Sequence, residues 1–270
     1  MEEKDFYIGR IHELADKAYQ NEYVTHTDFL SLSEQSDIYE IMQKEGQNYA
    51  QGIYKSSAFI MFGGHMDFER AMLFFLPSYL NKEDFLEQEQ YLEAMICLEI
   101  TPVNRKFSDD LGHRDYLGAL MNLGITRNQI GDIIFDKKQM LAYVFVCSEM
   151  QDLICNEMIR IKHTSVKCRK VSFSECQIVP EFEEIVGSVS SLRLDVILAL
   201  VYRLSRSQVG ELIDSQKVFV NGKEAYSGGY DLKEAAVISV RGYGKFVFEG
   251  REGLGTSRKG KLYVKVKKFI

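Results

Sequence analysis

The stretch Ser190-Ser-Leu-Arg-Leu-Asp-Val-Ile-Leu-Ala-Leu-Val-Tyr-Arg-Leu-Ser-Arg-Ser-Gln-Val-Gly-Glu-Leu-Ile-Asp-Ser-Gln-Lys-Val-Phe-Val-Asn-Gly-Lys223 decides how the last third of the chain is read. Leu194, Ile197, Leu198 and Val201 recur at helical spacing and predict one apolar face. Arg193 and Asp195 flank that face, and Arg203 stands at its far end. Ser205 is placed to cap a second helix whose apolar positions are Val209, Leu212 and Ile213. A helix start carrying Arg206, Ser207 and Gln208 offers backbone N–H groups, a favourable dipole and forked donors, which suit a phosphate. Lys217 then opens an alternating strand that ends on Asn221-Gly222, the strongest short hairpin signal a sequence offers. Spacing alone equally allows an ordinary helical hairpin with solvated arginines.

The stretch resembles the alpha-L RNA-binding motif, the S-four-type domain found in a small-subunit ribosomal protein, many pseudouridine synthases and some tyrosyl-tRNA synthetases. The matching residues are Arg193-Leu-Asp195, Leu204-Ser-Arg-Ser-Gln208, Leu212-Ile213, Lys217-Val218, Val220-Asn-Gly222 and Val237-Ile-Ser-Val-Arg-Gly242. Gln216 stands where that family usually has a Gly closing the second helix, and Ala235-Ala236 replaces a usual Gly-Asp. Upstream lie Phe62-Gly-Gly-His-Met-Asp-Phe-Glu-Arg70 and His113-Arg-Asp-Tyr-Leu-Gly-Ala-Leu-Met-Asn-Leu-Gly-Ile-Thr-Arg-Asn-Gln-Ile-Gly-Asp132, in the order found in YlmH-type proteins. The whole chain is thus similar to the YlmH-type RNA-binding proteins, a bacterial family with a two-part N-terminal region before the alpha-L domain. The resemblance implies binding to structured RNA, rRNA or tRNA, on the large ribosomal subunit, in rescue of stalled translation. No cofactor and no catalysis are expected.

Composition fits a cytoplasmic protein with no membrane partner. The 270 residues suggest about two domains, with three small ones allowed. No stretch approaches the roughly 18 consecutive apolar residues of a membrane span, and Met-Glu-Glu-Lys-Asp is too acidic to open a signal peptide. Cys97, Cys147, Cys155, Cys168 and Cys176 are odd in number and form no C-x-x-C pair, so reduced thiols are expected rather than disulfides or zinc. Nothing in the pattern calls for a dimer, and a monomer is expected. The net charge of −6 divides unevenly: residues 188–270 hold 15 Lys and Arg against 8 Asp and Glu, or +7, and the remainder holds 18 against 31, or −13. The basic third can attract phosphate while the acidic part repels RNA or faces a protein.

The fold class expected is α+β in three parts: a small α/β unit over residues 1–80, a ferredoxin-like (βαββαβ, RRM-like) middle domain over 85–180, and the alpha-L domain over 188–270. The first part reads as a helix around Ile11 and Leu14, a second over 28–44, and strands at 58–62 and 71–76. The middle reads as strands at 91–100, 130–135, 140–146 and 165–173, with helices over 108–123, capped by Ser108, and 148–161. Tyr143 and Phe145 lie where recognition-motif domains carry RNA-stacking aromatics, but buried strand positions are expected for both. Residues 180–187 read as a connector. Beyond Arg241 a further strand pair, 245–248 and 261–267, is expected around a Gly-rich basic loop, with the second strand alternating Lys outward and Leu or Val inward.

Several patterns are decoys. Residues 255–261 mimic a phosphate loop, yet Leu262 replaces the Ser or Thr that would hold magnesium, and a strand is expected after it. His113-Arg-Asp115 lacks the accompanying kinase motifs. His65, Asp67 and Glu69 suit a solvated turn beside Gly63-Gly64 better than a metal cluster. His113, Arg114, Asp115, Arg127 and Asp132 form either a structural polar network or a phosphate contact through Arg114 and Arg127. Pseudouridine synthases carry their alpha-L domain first, whereas here it is last, which argues against catalysis. The runner-up to RNA binding alone is an adaptor whose acidic parts bind a protein while the last part anchors to RNA.

The expected RNA face comprises Arg193, Arg203, Arg206, Lys217 and Lys223, with Ser205, Ser207, Gln208 and Asn221 as positioning groups. Arg241, Arg258, Lys259 and Lys261 extend it, and His113, Arg114 and Arg127 are candidate secondary contacts.

Overall fold

The computed structural model describes residues 2–46, 49–65, 68–136, 139–176, 182–256 and 261–269. The chain divides into two compact units, residues 1–178 and 179–270.

The first unit begins with helix α1 (Glu2–Asn21), strand β1 (Thr25–His26) and helix α2 (Leu32–Glu45). Strands β2 (Ile53–Tyr54), β3 (Ser57–Phe62) and β4 (Met72–Leu76) complete a four-stranded antiparallel sheet in the order β1-β4-β3-β2. Helix α2 starts at a capping box in which Ser31 and Glu34 satisfy each other's backbone N–H. Every residue of β4 is buried because the strand is covered on both faces. Leu73 and Phe75 join Ile11, Leu14, Ile38 and Met42 of the helices, whereas Met72, Phe74 and Leu76 pack with Met95, Cys97, Tyr143 and Phe145.

That second set belongs to a five-stranded sheet. Helix α3 (Lys82–Glu87) precedes β5 (Met95–Pro102), α4 (His113–Asn122), β6 (Ile130–Asp136), β7 (Leu141–Cys147), α5 (Gln151–Glu157), β8 (Arg160–Ile161) and β9 (Thr164–Val171). The order β6-β7-β5-β9-β8, all antiparallel, contains the expected ferredoxin-like arrangement. One face of this sheet packs on α4 and α5 through Ala142, Val144, Val146, Leu120 and Ile154. The other packs on the first sheet, so the unit is layered helix, sheet, sheet, helix.

Several boundaries differ from expectation. The helix expected from residue 108 starts at His113, because Asp115 takes the Gly112 N–H at 2.9 Å, while Ser108 bonds the Asn104 carbonyl instead. The helix expected to reach 161 ends at Glu157, and residues 160–161 pair back onto 164–165. A 3₁₀ turn over Glu89–Leu92 delays the strand expected from 91 until Met95. All five cysteines are free thiols.

The second unit holds strand β10 (Phe182–Val189), helices α6 (Leu194–Tyr202) and α7 (Arg206–Asp214), and strands β11 (Val218–Val220), β12 (Lys223–Glu224), β13 (Ala236–Val240), β14 (Gly244–Thr256) and β15 (Leu262–Phe269). They form a six-stranded antiparallel sheet ordered β10-β15-β14-β13-β11-β12. Its core joins Leu194, Ile197, Leu198, Val201, Val209, Leu212 and Ile213 of the helices to Val218, Ile238, Val240, Phe246, Phe248, Val264 and Val266 of the strands. Residues 182–187, expected within a connector, are therefore part of a strand. β10 pairs with β15 along its full length and sets Glu184 opposite Lys267 and Glu183 opposite Lys268, a charge match across the ladder that favours pairing.

Candidate RNA-binding surface

The corner between α6 and α7 gathers Arg203, Ser205, Arg206, Ser207 and Gln208 of the expected face. Arg203 closes α6 in the left-handed conformation (φ 54°, ψ 43°), and the Arg203 and Leu204 N–H groups both reach the Ala199 carbonyl. Two residues later Ser205 caps α7: its Oγ accepts from Gln208 N at 3.3 Å, and Gln208 Oε1 accepts from Ser205 N at 2.9 Å. Ser205 and Ser207 share a hydroxyl contact of 3.0 Å. Gln208 and Ser205 are thus engaged in building the corner. Arg203 and Arg206 remain solvent-exposed and make no ion pair among the described residues.

A second basic spot lies beyond α7, about 13 Å along a helix of nine residues. Lys217 and Arg241 are exposed and tied through their backbones, Arg241 N donating to the Lys217 carbonyl at 2.9 Å. The Arg241 guanidinium rests over the Phe219 ring, 4.9 Å from its centroid, which orients it. The Asn221-Gly222 turn forms with both residues at positive φ (49° and 75°), as its sequence requires. Asn221 is a staple: its Oδ1 accepts from Val237 N and its N–H donates to the Val237 carbonyl, each at 2.8 Å. Lys223, half-buried, opens β12 opposite Val220.

Other expected residues are placed apart. Arg193 caps the opposite end of α6 from Arg203 and donates from Nε and Nη2 to the Asp195 carboxylate at 3.1 and 2.8 Å. Its charge is largely matched in place. Lys261 is exposed just before β15, and Arg258 and Lys259 lie outside the described residues. The lysine face expected on that strand is present but matched. Lys267 meets Glu249 at 2.6 Å, Lys265 meets Glu184 at 2.9 Å, and Lys268 lies 3.8 Å from Glu183. The hydrogen bond from Lys267 is the main reason the Glu249 carboxyl sits below the ordinary range.

In the first unit, His113 and Arg114 stand exposed at the start of α4. Arg127 instead turns inward, its Nη1 donating to the Ile130 carbonyl at 2.8 Å. Arg70 does the same with greater reach, donating to the carbonyls of Ile130, Phe29 and Arg127 at 2.8, 2.9 and 3.0 Å. Burial and the neighbouring Arg127 push its guanidinium down to about 10. Asp132 accepts the Glu69 and Arg70 N–H groups at 2.6 and 3.0 Å and meets His65 at 3.0 Å. Burial pushes its carboxyl up, but these donors outweigh burial and the net direction is down. Asp115 belongs to a separate cluster with Gly112 and Lys162. The five polar residues grouped from sequence are therefore at least two clusters. Asp67 lies outside the described residues, and no group of three or more His, Cys, Asp or Glu suited to a metal occurs among the described ones.

Tyr143 and Phe145 are buried against the first sheet. The sheet face through which recognition-motif domains stack bases is thus covered by the chain's own N-terminal sheet. Tyr226, 80 % exposed, and Tyr243 are exposed aromatics outside the expected face. An aromatic beside Ser227-Gly-Gly229, with nothing at strand or helix spacing to bury it, was the available signal.

Residues 88–175 match the family described as "Putative RNA-binding domain in YlmH", and residues 192–238 match the S4 domain. The chain is 29 % identical over 195 residues, 71 % of each protein, to the "Ribosome-associated protein quality control protein P2" of Bacillus subtilis (strain 168). A solved structure, "Cell division protein ylmH from Streptococcus pneumoniae", is 16 % identical with a TM-score of 0.48, covering 64 % of this chain and 94 % of that one. The first unit thus carries a domain of the YlmH RNA-binding type and the second an S4 domain, which is an alpha-L RNA-binding domain, the pair of domains expected of YlmH-type proteins.

Proposed function

We propose that the chain is a non-catalytic protein that binds structured RNA of the large ribosomal subunit together with tRNA, in rescue or quality control of stalled translation. It acts as a monomer in the bacterial cytoplasm. The observation that carries this reading is the α6–α7 corner, where Arg203 and Arg206 project without an ion pair among the described residues from a turn held rigid by a capping box. Fixed backbone and unmatched guanidinium groups suit the spacing of phosphates rather than a reacting centre. Lys217, Arg241 and Lys223 extend the contact, and Arg193 joins it when Asp195 yields its place. The name of the Bacillus subtilis relative supports the ribosomal setting. Absence of catalysis is supported by the carboxylates nearest to a catalytic pattern, Asp115 holding the Gly112 N–H and Asp132 those of Glu69 and Arg70.

The test is sedimentation of tagged protein through a gradient of bacterial lysate, with sequencing of the RNA that travels with it. Co-migration with large subunits carrying tRNA is expected. Arg206→Ala should weaken binding about three- to tenfold, with unchanged thermal stability. Its salt slope should be shallower by roughly 0.7 to 0.9 for each phosphate that the arginine neutralises in the parent. Parental affinity in Arg206→Ala at matched salt would remove the corner from the interface. Migration with a protein and no RNA would favour the adaptor reading.

A further inference from the structure

We propose that a tyrosine-walled cleft in the first unit receives a cationic side chain, arginine or lysine, from a basic segment of a protein partner. The cleft encloses about 310 Å³, and its wall includes Tyr23, Tyr79, Tyr91, Phe74, Gln90 and Glu93. Tyr23 and Tyr79 are 48 % and 63 % exposed, so packing does not explain them. They are held in register by the residues that precede them. Ser78 donates from its backbone N to Glu22 Oε2 at 3.1 Å and from its Oγ to Glu22 Oε1 at 2.8 Å. Glu22 itself adopts a positive φ of 54°. This clamp joins the end of α1 to the end of β4 and leaves the two rings on one opening.

The chemistry of the wall selects the ligand. Aromatic faces carry negative potential and attract ammonium or guanidinium groups. Glu93 adds a carboxylate, and no Lys or Arg lines the cleft among the described residues. His26, also on the wall, turns Nδ1 to the Thr27 carbonyl at 3.1 Å. Residues 82–93, which supply part of the wall, hold five acidic residues against Lys82 alone. A phosphate-bearing ligand is repelled by such a field and a cation is drawn in. This site is independent of the RNA face and does not rest on that reading.

The test uses full-length protein with ¹³C-labelled tyrosine rings, titrated at about 0.15 M salt with a peptide of alternating glycine and arginine. Its citrulline counterpart and AMP serve as neutral and nucleobase probes. The arginine peptide is expected to shift the Tyr23 and Tyr79 resonances and the citrulline peptide to bind roughly fivefold or more weakly. Tyr79→Ala should weaken the arginine peptide about two- to fivefold, while Tyr79→Phe retains binding. Unchanged affinity in a Tyr23→Ala, Tyr79→Ala double variant would reduce the effect to general acidic attraction and overturn the proposal. Movement of the same resonances by AMP, with the peptide silent, would overturn it in favour of a nucleobase.

Discussion

The arginines of the two units have opposite uses. In the first, Arg70 and Arg127 are turned inward and their guanidinium groups brace backbone carbonyls around β6. In the second, Arg203 and Arg206 occupy a corner whose backbone groups are already satisfied by Ala199, Ser205 and Gln208. Among the described residues they make no ion pair, and they face solvent. A positive count is therefore a poor guide to a nucleic-acid surface until each charge has been assigned its partner. The +7 of residues 188–270 includes Arg193, Lys265, Lys267 and Lys268, all beside carboxylates. Arg203, Arg206, Lys217 and Arg241 are exposed and make no ion pair among the described residues.

The contrast is broken most severely by attacking the core under the exposed arginines. Leu198 is fully buried between α6 and the sheet. Leu198→Asp should cost on the order of 4 kcal/mol or more, because a charge without a partner enters that core. Loss of the second unit's dispersed NMR signals, with those of the first retained, is the expected result. Next in size is Asp132→Ala, which strips the acceptor from the Glu69 and Arg70 N–H groups and removes one of the carboxylates, beside Glu34 and Glu69, whose charge favours the half-buried Arg70 guanidinium. It should cost about 3 kcal/mol in urea unfolding. The direction with pH follows from the lowered Asp132 carboxyl. Its stabilisation is fully present above the unfolded value of about 3.9, and is lost as pH falls through the folded value. In the Asp132→Asn variant that part of the acid sensitivity, below about pH 4, should vanish. Arg70→Ala should destabilise by about 2 kcal/mol without altering the salt dependence of RNA binding, the reverse of Arg206→Ala.

What was legible in the sequence was local. The apolar faces of α6 and α7, the Ser205 cap and the Asn221-Gly222 turn are written within a few residues of one another, and each formed as read. The corner arginines were legible for the same reason. β10 was not, because its Glu-Glu run is explained only by lysines on β15 about 80 residues later. Asp132 was equally opaque, since the N–H groups it holds lie 62 and 63 residues upstream. The covering of Tyr143 and Phe145 depends on β4 alternating between two cores, and a fully apolar strand carries no mark of which residue faces which. The pairing of Arg193 with Asp195 was not legible either, because an ion pair two residues apart has no periodic signature.

The smallest expected effect concerns the two turns at which the chain departs from the alpha-L pattern. Gln216 follows α7 with φ 56°, its N–H on the Ile213 carbonyl and the Lys217 N–H on the Leu212 carbonyl, which is a Schellman closure with Gln at the position glycine prefers. Ala235 has φ 62° and donates to the Phe248 carbonyl at 2.8 Å. In both places the turn keeps the left-handed geometry that the usual glycine provides, and a side chain with a Cβ adopts it at a cost of roughly 1–2 kcal/mol. Glycine would remove that strain and return about 0.5–1 kcal/mol of it as extra freedom of the unfolded chain. Ala235→Gly should therefore stabilise the second unit by about 0.5–1 kcal/mol, read as a rise in its urea midpoint at constant slope. RNA affinity should not change, because the backbone at the α6–α7 corner is fixed by its own caps. A fall in stability would mean that the Ala235 methyl packs in a way worth more than the strain. A gain accompanied by altered RNA affinity would mean that this turn, and not the arginine corner alone, sets the binding surface.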